Sequence, residues 1–309
     1  MNLTENFNPK KSLKLIEHKD NFNLLKNLVI KKRFPKVLML SGIKGDGKFT
    51  LISHFLHYYF DKKNYIENEN TIQESTFHEQ FLSDTFPNIY YLNGSDFKNV
   101  KIEDIRSLKN NLLKKPIIEK KRYIILDDVE TFNTNSLNGL LKLIEEPGES
   151  NSFILINNST KNLLETIKSR CLELKIILSE KSRLNIIASL METHEQKNIL
   201  DKNSIKVSPG NFVKFNSFFC DQIFNLNDSF LKNFKISLNF YKKEKDIFYK
   251  DLLIFLTEYF LQKYRFKDYN GNQNYFIKRS SVLKNLNNFF MYNLSQSALI
   301  NNVEDKLNE

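Results

Sequence analysis

A glycine-rich stretch near the N-terminus has the spacing of a phosphate-binding loop. Three of the chain's eight glycines, Gly42, Gly45 and Gly47, lie within six residues, and Lys48 follows at once. This nearly fits the pattern G-x-x-x-x-G-K-[ST], in which backbone N–H groups surround phosphate oxygens and the lysine reaches the outer phosphates. The Ser or Thr that would hold Mg²⁺ is replaced by Phe49. The sequence therefore predicts a nucleotide-binding loop with poor metal positioning.

A pair of carboxylates forms the second candidate element. The apolar residues 123–126 lead into Asp127 and Asp128, and an aspartate at such a strand end holds Mg²⁺ in P-loop proteins. P-loop proteins that hydrolyse ATP usually carry Glu directly after this aspartate, where it polarises the attacking water. Asp128 occupies that position here, and its side chain is one methylene shorter than that of Glu. Thr50 follows Phe49, but it is turned about 100° around the helix and makes a poor substitute ligand. Phe49 in place of Ser or Thr, and Asp128 in place of Glu, both predict weak or absent ATPase activity in an intact fold.

Alternating segments predict the scaffold that positions these residues. Short apolar strands are expected at 37–40, 88–92, 122–126, 152–156 and 172–177, and helices at 48–60, 100–115, 133–146 and 163–169. Strands that alternate with helices indicate a parallel sheet covered on both faces. The polar segment 64–83 is expected to be an irregular loop or insertion. The last hundred residues contain no proline and favour helices.

Four elements in order resemble those of bacterial DNA polymerase III clamp-loader subunits, which are AAA+ proteins. They are the glycine-rich loop, the two aspartates, the string NGLLKLIEEP at residues 138–147, and Ser169-Arg170-Cys171. The resemblance covers residues 16–210. It implies an AAA+ α/β P-loop NTPase domain at 1–178, a small helical lid at 179–211 and an all-α collar domain at 212–309.

The same resemblance implies functional roles. Arg170 would enter the ATP site of a neighbouring subunit as an arginine finger. Asn157, Asn158 and Ser159 end the fourth strand, where the family has a polar sensor, and one of them would contact a phosphate or a water. The start of the lid helix, Ser208-Pro209-Gly210-Asn211, resembles a second sensor segment, but its expected arginine is missing. The candidate nucleotide-binding residues are Gly42, Gly45, Gly47, Lys48, Thr50, Asp127, Asp128 and Ser159.

Within the family, the two motif defects favour a non-hydrolysing delta-prime type that is not catalytic alone. Its implied partners are gamma/tau and delta subunits, the sliding clamp and, through the complex, primed DNA. ATP binding would be weak or absent, Mg²⁺ would enter only with nucleotide, and no zinc is expected because the interval between the nucleotide motifs lacks cysteine. The alternatives are an active gamma/tau-like ATPase and a P-loop nucleoside or nucleotide kinase.

Composition adds little to these predictions. The net charge of +10 suits a phosphate-bearing partner, yet a lysine-rich coding bias would produce the same charge. The five histidines form no catalytic or metal-binding pattern. Two isolated cysteines, no signal-peptide pattern and no long apolar run predict a cytoplasmic protein without a membrane partner.

Overall fold

The computed structural model describes residues 7–94, 100–203, 205–220, 229–244, 247–265, 272–292 and 294–308. The chain forms two compact units. The first consists of Met1–Gln196 with Lys206–Lys214, and the second of Lys197–Ile205 with Phe215–Glu309. The division into an AAA+ domain, a lid and a collar remains a prediction.

The first unit is built on a parallel sheet. Its elements in chain order are α1 (Lys19–Ile30), β1 (Val37–Ser41), α2 (Lys48–Phe60), β2 (Tyr65–Ile66), β3 (Thr71–Ile72), α3 (Thr76–Leu82), β4 (Ile89–Asn93), α4 (Ile102–Leu113), β5 (Arg122–Asp127), α5 (Thr134–Glu145), β6 (Asn151–Asn157), α6 (Glu165–Lys168), β7 (Leu172–Lys175) and α7 (Glu180–Thr193). The five-stranded sheet has the order β4-β5-β6-β1-β7. All its strand pairs are parallel, so the ends of β1, β5 and β6 lie at the same edge.

Alternation along the strands explains why both faces of the sheet are covered. On β1, Leu38 and Leu40 belong to one buried cluster, whereas Val37 and Met39 belong to the other. The first cluster includes buried side chains of α1 and α2, and the second includes those of α4 and α5. Because successive strand residues point to opposite faces, such apolar runs are stable only between two helical layers. The predicted α/β fold, with a parallel sheet covered on both faces, is confirmed.

The expectation of an irregular segment at 64–83 is wrong. Strands β2 and β3 pair antiparallel there, and α3 follows. Tyr65, Ile72 and Phe77 are buried among the side chains of one core cluster. Ser75 begins α3 by accepting a hydrogen bond from the backbone N–H of His78, a common N-cap arrangement. The few apolar residues of this polar segment therefore suffice to anchor it.

The described residues of the second unit from Phe215 onward are mainly helical, as the proline-free composition predicts, whereas residues 197–203 and 205 form turns and loop. Helix α8 (Pro209–Cys220) leads into it, and α9 (Phe230–Glu244), α10 (Ile247–Arg265), α11 (Asn272–Tyr292) and α12 (Gln296–Asn308) follow. Buried apolar side chains from these four helices include Phe234, Leu252, Leu286 and Val303. No helix among the described residues is both long and apolar enough to cross a bilayer.

Candidate nucleotide and arginine sites

The glycine-rich loop connects the end of β1 to the start of α2. The backbone N–H of Gly42 donates to the carbonyl of Asn157 at 3.2 Å, which joins the loop to the end of β6. Gly45 and Gly47 adopt φ angles of 93° and 82°, a left-handed region that favours glycine. Gly47 lies immediately before the first residue of α2. The loop thus has the backbone form in which N–H groups and a helix N-terminus can face an anion.

Lys48 lies inside this loop. Its side chain donates to the carbonyls of Gly42 at 3.0 Å and Ile43 at 2.6 Å, and the residue is only 3% exposed. Burial lowers the Lys48 pKa to about 8, although the negative charges of Asp46 and Asp127 oppose the shift. The ammonium group is therefore predominantly charged at neutral pH, and the loop's own carbonyls solvate it.

The residue after Lys48 belongs to the core. Phe49 is 7% exposed, and its ring meets the Tyr91 ring edge-on with centroids 5.3 Å apart. Thr50 is partly buried one position further along α2. A hydroxyl at position 49 would lie at the loop, but an aromatic ring in the sheet–helix core offers no ligand to a hard cation.

The two aspartates lie at the end of β5, as predicted. Asp127 accepts hydrogen bonds from the Tyr91 hydroxyl at 3.3 Å and from the backbone N–H of Asp128 at 2.9 Å. Burial and the adjacent charge of Asp128 raise the Asp127 pKa to about 7. Asp128 is buried and accepts from the Asn158 side chain at 2.6 Å, while its other oxygen lies 3.8 Å from the Lys44 ammonium group. The carboxylates therefore already have partners within the chain.

Of the three predicted sensor candidates at the end of β6, Asn158 is the one whose side chain reaches the aspartates. Ser159 is exposed, and its backbone N–H donates to the Asn157 side chain at 3.0 Å. Asn158 instead donates to Asp128 and makes a longer 3.5 Å contact with Asp127. The role of Ser159 remains a prediction.

Two further residues at this edge were not singled out from sequence. Glu130 is 4% exposed, and one of its oxygens accepts from the N–H groups of Asn158 and Thr160 and from the Thr160 hydroxyl. His18 is also buried, and its Nε2–H donates to the Asp46 carbonyl at 2.8 Å. Burial lowers the His18 pKa. Both contacts join residues at least 28 positions apart, so local spacing carries no signal for them.

The start of α8 contacts the glycine-rich loop within the first unit. The backbone N–H of Gly210 donates to the Gly45 carbonyl at 3.0 Å. A Cβ atom on Gly45 would collide with the Ser208 hydroxyl. The segment that resembles a sensor helix therefore lies directly on the loop, and its close approach requires glycine at position 45.

Arg170 lies between α6 and β7, 42 residues after Asp128. Its Nε donates to Glu145 Oε1 at 2.9 Å, and Nη1 donates to the Thr166 carbonyl at 2.7 Å. The neighbouring Cys171 is partly buried, and burial raises the pKa of its thiol to about 11. This thiol is therefore not activated, and the role of Arg170 remains a prediction.

The sheet, the glycine-rich loop and the carboxylates at the strand ends define a P-loop module of the AAA+ class, followed by a helical unit. A family model described as "DNA polymerase III, delta subunit" matches residues 17–179, more than half of the chain. The chain belongs to this clamp-loader family.

Individual relatives include more than one type of subunit. The chain is 32% identical to the DNA polymerase III subunit gamma of Buchnera aphidicola (Schizaphis graminum) over 108 residues, which is 35% of this chain and 29% of that protein. It is 30% identical to subunit delta' of Pseudomonas aeruginosa over 90 residues, covering 29% and 27%, and 26% identical to subunit delta' of Bacillus subtilis over 148 residues, covering 48% and 44%. The matched stretches thus span less than half of these relatives.

A solved structure of a gamma subunit-related protein from Thermotoga maritima aligns with 92% of this chain and 98% of its own, at 14% identity and a TM-score of 0.44.

Proposed function

We propose that this chain is a non-hydrolysing, delta-prime-type clamp-loader subunit of DNA polymerase III. The observation that carries the proposal is the combination of a complete glycine–lysine loop with altered residues at the metal and water positions. Phe49 packs into the core, and Asp128 is held by Asn158 beside Lys44. These changes leave the fold intact and remove groups that hydrolysis needs.

The residues present fit phosphate better than they fit Mg²⁺. The left-handed glycines, the helix N-terminus and Lys48 form a suitable anion cradle. The cation lacks its usual hydroxyl ligand, because Phe49 is apolar and Thr50 is one position further along α2. The proposal is therefore that ATP binds weakly or not at all, that Mg²⁺ enters only with nucleotide, and that this chain has no catalytic turnover alone.

Arg170 is the residue proposed to act on another subunit. A guanidinium group can stabilise the charge that develops on a transferring phosphoryl group, and Arg170 has a partly exposed side chain. The proposed partners are gamma/tau and delta subunits in one hetero-oligomer in the cytoplasm. In that assembly the chain would help to load the sliding clamp onto primed DNA as a component of the polymerase holoenzyme.

The test is ATP hydrolysis by the chain assembled with its gamma/tau and delta partners, clamp and primed DNA. Arg170→Ala should leave assembly intact and lower turnover at the adjoining site by roughly 10³-fold, with a smaller drop for the whole complex. Arg106→Ala, at an exposed arginine on α4, is the matched control and should retain wild-type turnover. Equal rates for all three proteins would reject the trans-acting arginine, and failure to assemble would reject the clamp-loader role.

A second candidate is an active gamma/tau-type ATPase. The retained Lys48 and Asp127 and the similarity to a gamma subunit favour it. The isolated chain should be assayed for ATP turnover beside Lys48→Ala. Turnover well above that control would support this candidate and contradict the non-hydrolysing proposal. Membership of the clamp-loader family argues against the remaining alternative, a nucleoside or nucleotide kinase.

A further inference from the structure

The guanidinium group of Arg170 is held from two sides by its own chain. Glu145 Oε1 lies 2.9 Å from Nε and 2.7 Å from Nη2. On the other side, Nη1 donates to the Thr166 carbonyl at 2.7 Å. Glu145 is the last residue of α5, 25 positions before the arginine. Two separate elements thus fix the orientation of one side chain.

This arrangement leaves donors for an incoming anion. The guanidinium group carries five N–H groups, and Glu145 Oε1 lies against the edge formed by Nε and Nη2. The second Nη2 hydrogen has no hydrogen-bond partner in the part of the chain that the structure describes, and the second Nη1 hydrogen has only a long 3.4 Å contact with the Ser169 hydroxyl. The arginine side chain is 37% exposed and that of Glu145 is 45% exposed. Both terminal nitrogens therefore retain a donor toward solvent while the stem is held.

We infer that Glu145 is a positioning residue for Arg170. The inference rests on the proposed role of the arginine in a neighbouring site. A long, flexible side chain loses rotamer freedom when it is fixed in a neighbour's site. Glu145 already restricts the rotamers of Arg170 before assembly, so that less rotamer freedom is lost when Arg170 binds the phosphates in the neighbouring site.

The position of Glu145 supports a specific pairing. A negative charge at a helix C-terminus is unfavourable because the helix dipole places partial negative charge there, and Arg170 compensates that charge. Exposed ion pairs contribute little to folding stability. Loss of Glu145 should therefore alter the orientation of the arginine without unfolding the subunit.

The test compares Glu145→Ala, Glu145→Gln and Glu146→Ala in the assembled complex. Glu146 is the adjacent exposed residue, so its replacement removes the same charge without the contact to Arg170. Single-turnover hydrolysis at the adjoining site should fall about 3- to 5-fold in Glu145→Ala, which corresponds to the upper range for an exposed ion pair. Glu145→Gln keeps an acceptor oxygen and should stay within about twofold of wild type. Glu146→Ala should match wild type.

A second measurement separates positioning from general structure. In the free chain, the ¹⁵N resonance of the Arg170 Nε–H should show slow solvent exchange in wild type and Glu145→Gln, and fast exchange in Glu145→Ala. Thermal unfolding should be the same for all variants. Adding Glu145→Ala to Arg170→Ala should cause no further loss of rate, because the residue being positioned is already absent.

The outcomes are distinguishable. A large effect of Arg170→Ala with no effect of Glu145→Ala would overturn the positioning role and leave the proposed function intact. A faster rate in Glu145→Ala would show that the ion pair keeps Arg170 away from the neighbouring site, and this result would also overturn the positioning role. No effect of Arg170→Ala would instead reject the proposed function, and the positioning role with it.

Discussion

Replacing Asp127 by Asn should stabilise the first unit near neutral pH. Asp127 lies at a partly buried strand end beside Asp128, and these two causes raise its pKa to about 7. An asparagine has nearly the same shape. Its oxygen can accept the hydrogen bond from the backbone of Asp128, and its amide can donate to the Tyr91 hydroxyl. The substitution therefore removes the buried charge and keeps the contacts.

The magnitude follows from the pKa difference between the folded and unfolded states. The pKa rises from 3.8 to about 7, and about 1.4 kcal/mol per unit gives an upper bound of about 4 kcal/mol. Solvent screening at the partly exposed strand end reduces this bound to about 2 kcal/mol. Because the folded state holds the proton more tightly, the Asp127 penalty grows as pH rises between about 4 and 7 and is complete above that range.

The measurement is denaturant unfolding of wild type and Asp127→Asn between pH 5 and pH 8. The stability advantage of the variant should increase across this range and approach about 2 kcal/mol at the upper end. The difference between the two proteins isolates Asp127 from other groups that titrate, including the buried histidines. Asp20→Asn, at an exposed aspartate in α1, is the control and should show no such increase. A variant less stable than wild type at pH 8, or an advantage independent of pH, would refute the reasoning.

Three further predictions concern the glycine-rich loop. The stability of wild type relative to Lys48→Met should rise with pH between about 8 and 10.5, because the folded-state pKa of Lys48 lies below its unfolded value; a flat difference in pH-dependent unfolding would contradict this. Gly45→Ala should destabilise the first unit by more than about 1 kcal/mol, since it combines a left-handed φ with a collision at Ser208. Gly148 has a similar φ of 75°, but a Cβ atom there would make only an ordinary contact at 3.4 Å. Gly148→Ala should therefore lower the melting temperature less than Gly45→Ala does. Phe49→Ala should cost about 3 kcal/mol through the cavity that it opens beneath the loop, and an unchanged melting temperature would exclude a core role for that ring.

Much of the first unit could be predicted because its strands follow a simple physical pattern. Apolar runs such as 123–126 are buried on both faces, and each ends at a polar residue or turn. The segment 64–83 was missed because its apolar residues are sparse and alternate with charged ones. Its short strands and helix depend on Tyr65 and Phe77 packing into a core formed by distant elements, and a local pattern does not encode such contacts.

The candidate site shows the same division between local and non-local information. The loop glycines, Lys48 and the aspartates form contiguous motifs, and the structure brings them to one edge of the sheet. The contacts of His18 and Glu130 connect residues that are far apart in sequence. Strand ends can be located only to within about two to four residues from sequence, so the sequence leaves Asn157, Asn158 and Ser159 open, whereas the structure brings the Asn158 side chain to the carboxylates.

The charge balance at this edge gives a physical reason to expect weak nucleotide binding. A nucleoside triphosphate brings several negative charges, which a P-loop protein normally offsets with its lysine and Mg²⁺. Here Lys48 is solvated by loop carbonyls, and Lys44 lies beside Asp128. Drawing Lys44 toward a phosphate would leave a buried aspartate with less compensation, which is costly in a poorly solvated site. Because the position of Phe49 offers no ligand for a compensating cation, the proposed absence of hydrolysis follows from charge as well as from the missing hydroxyl.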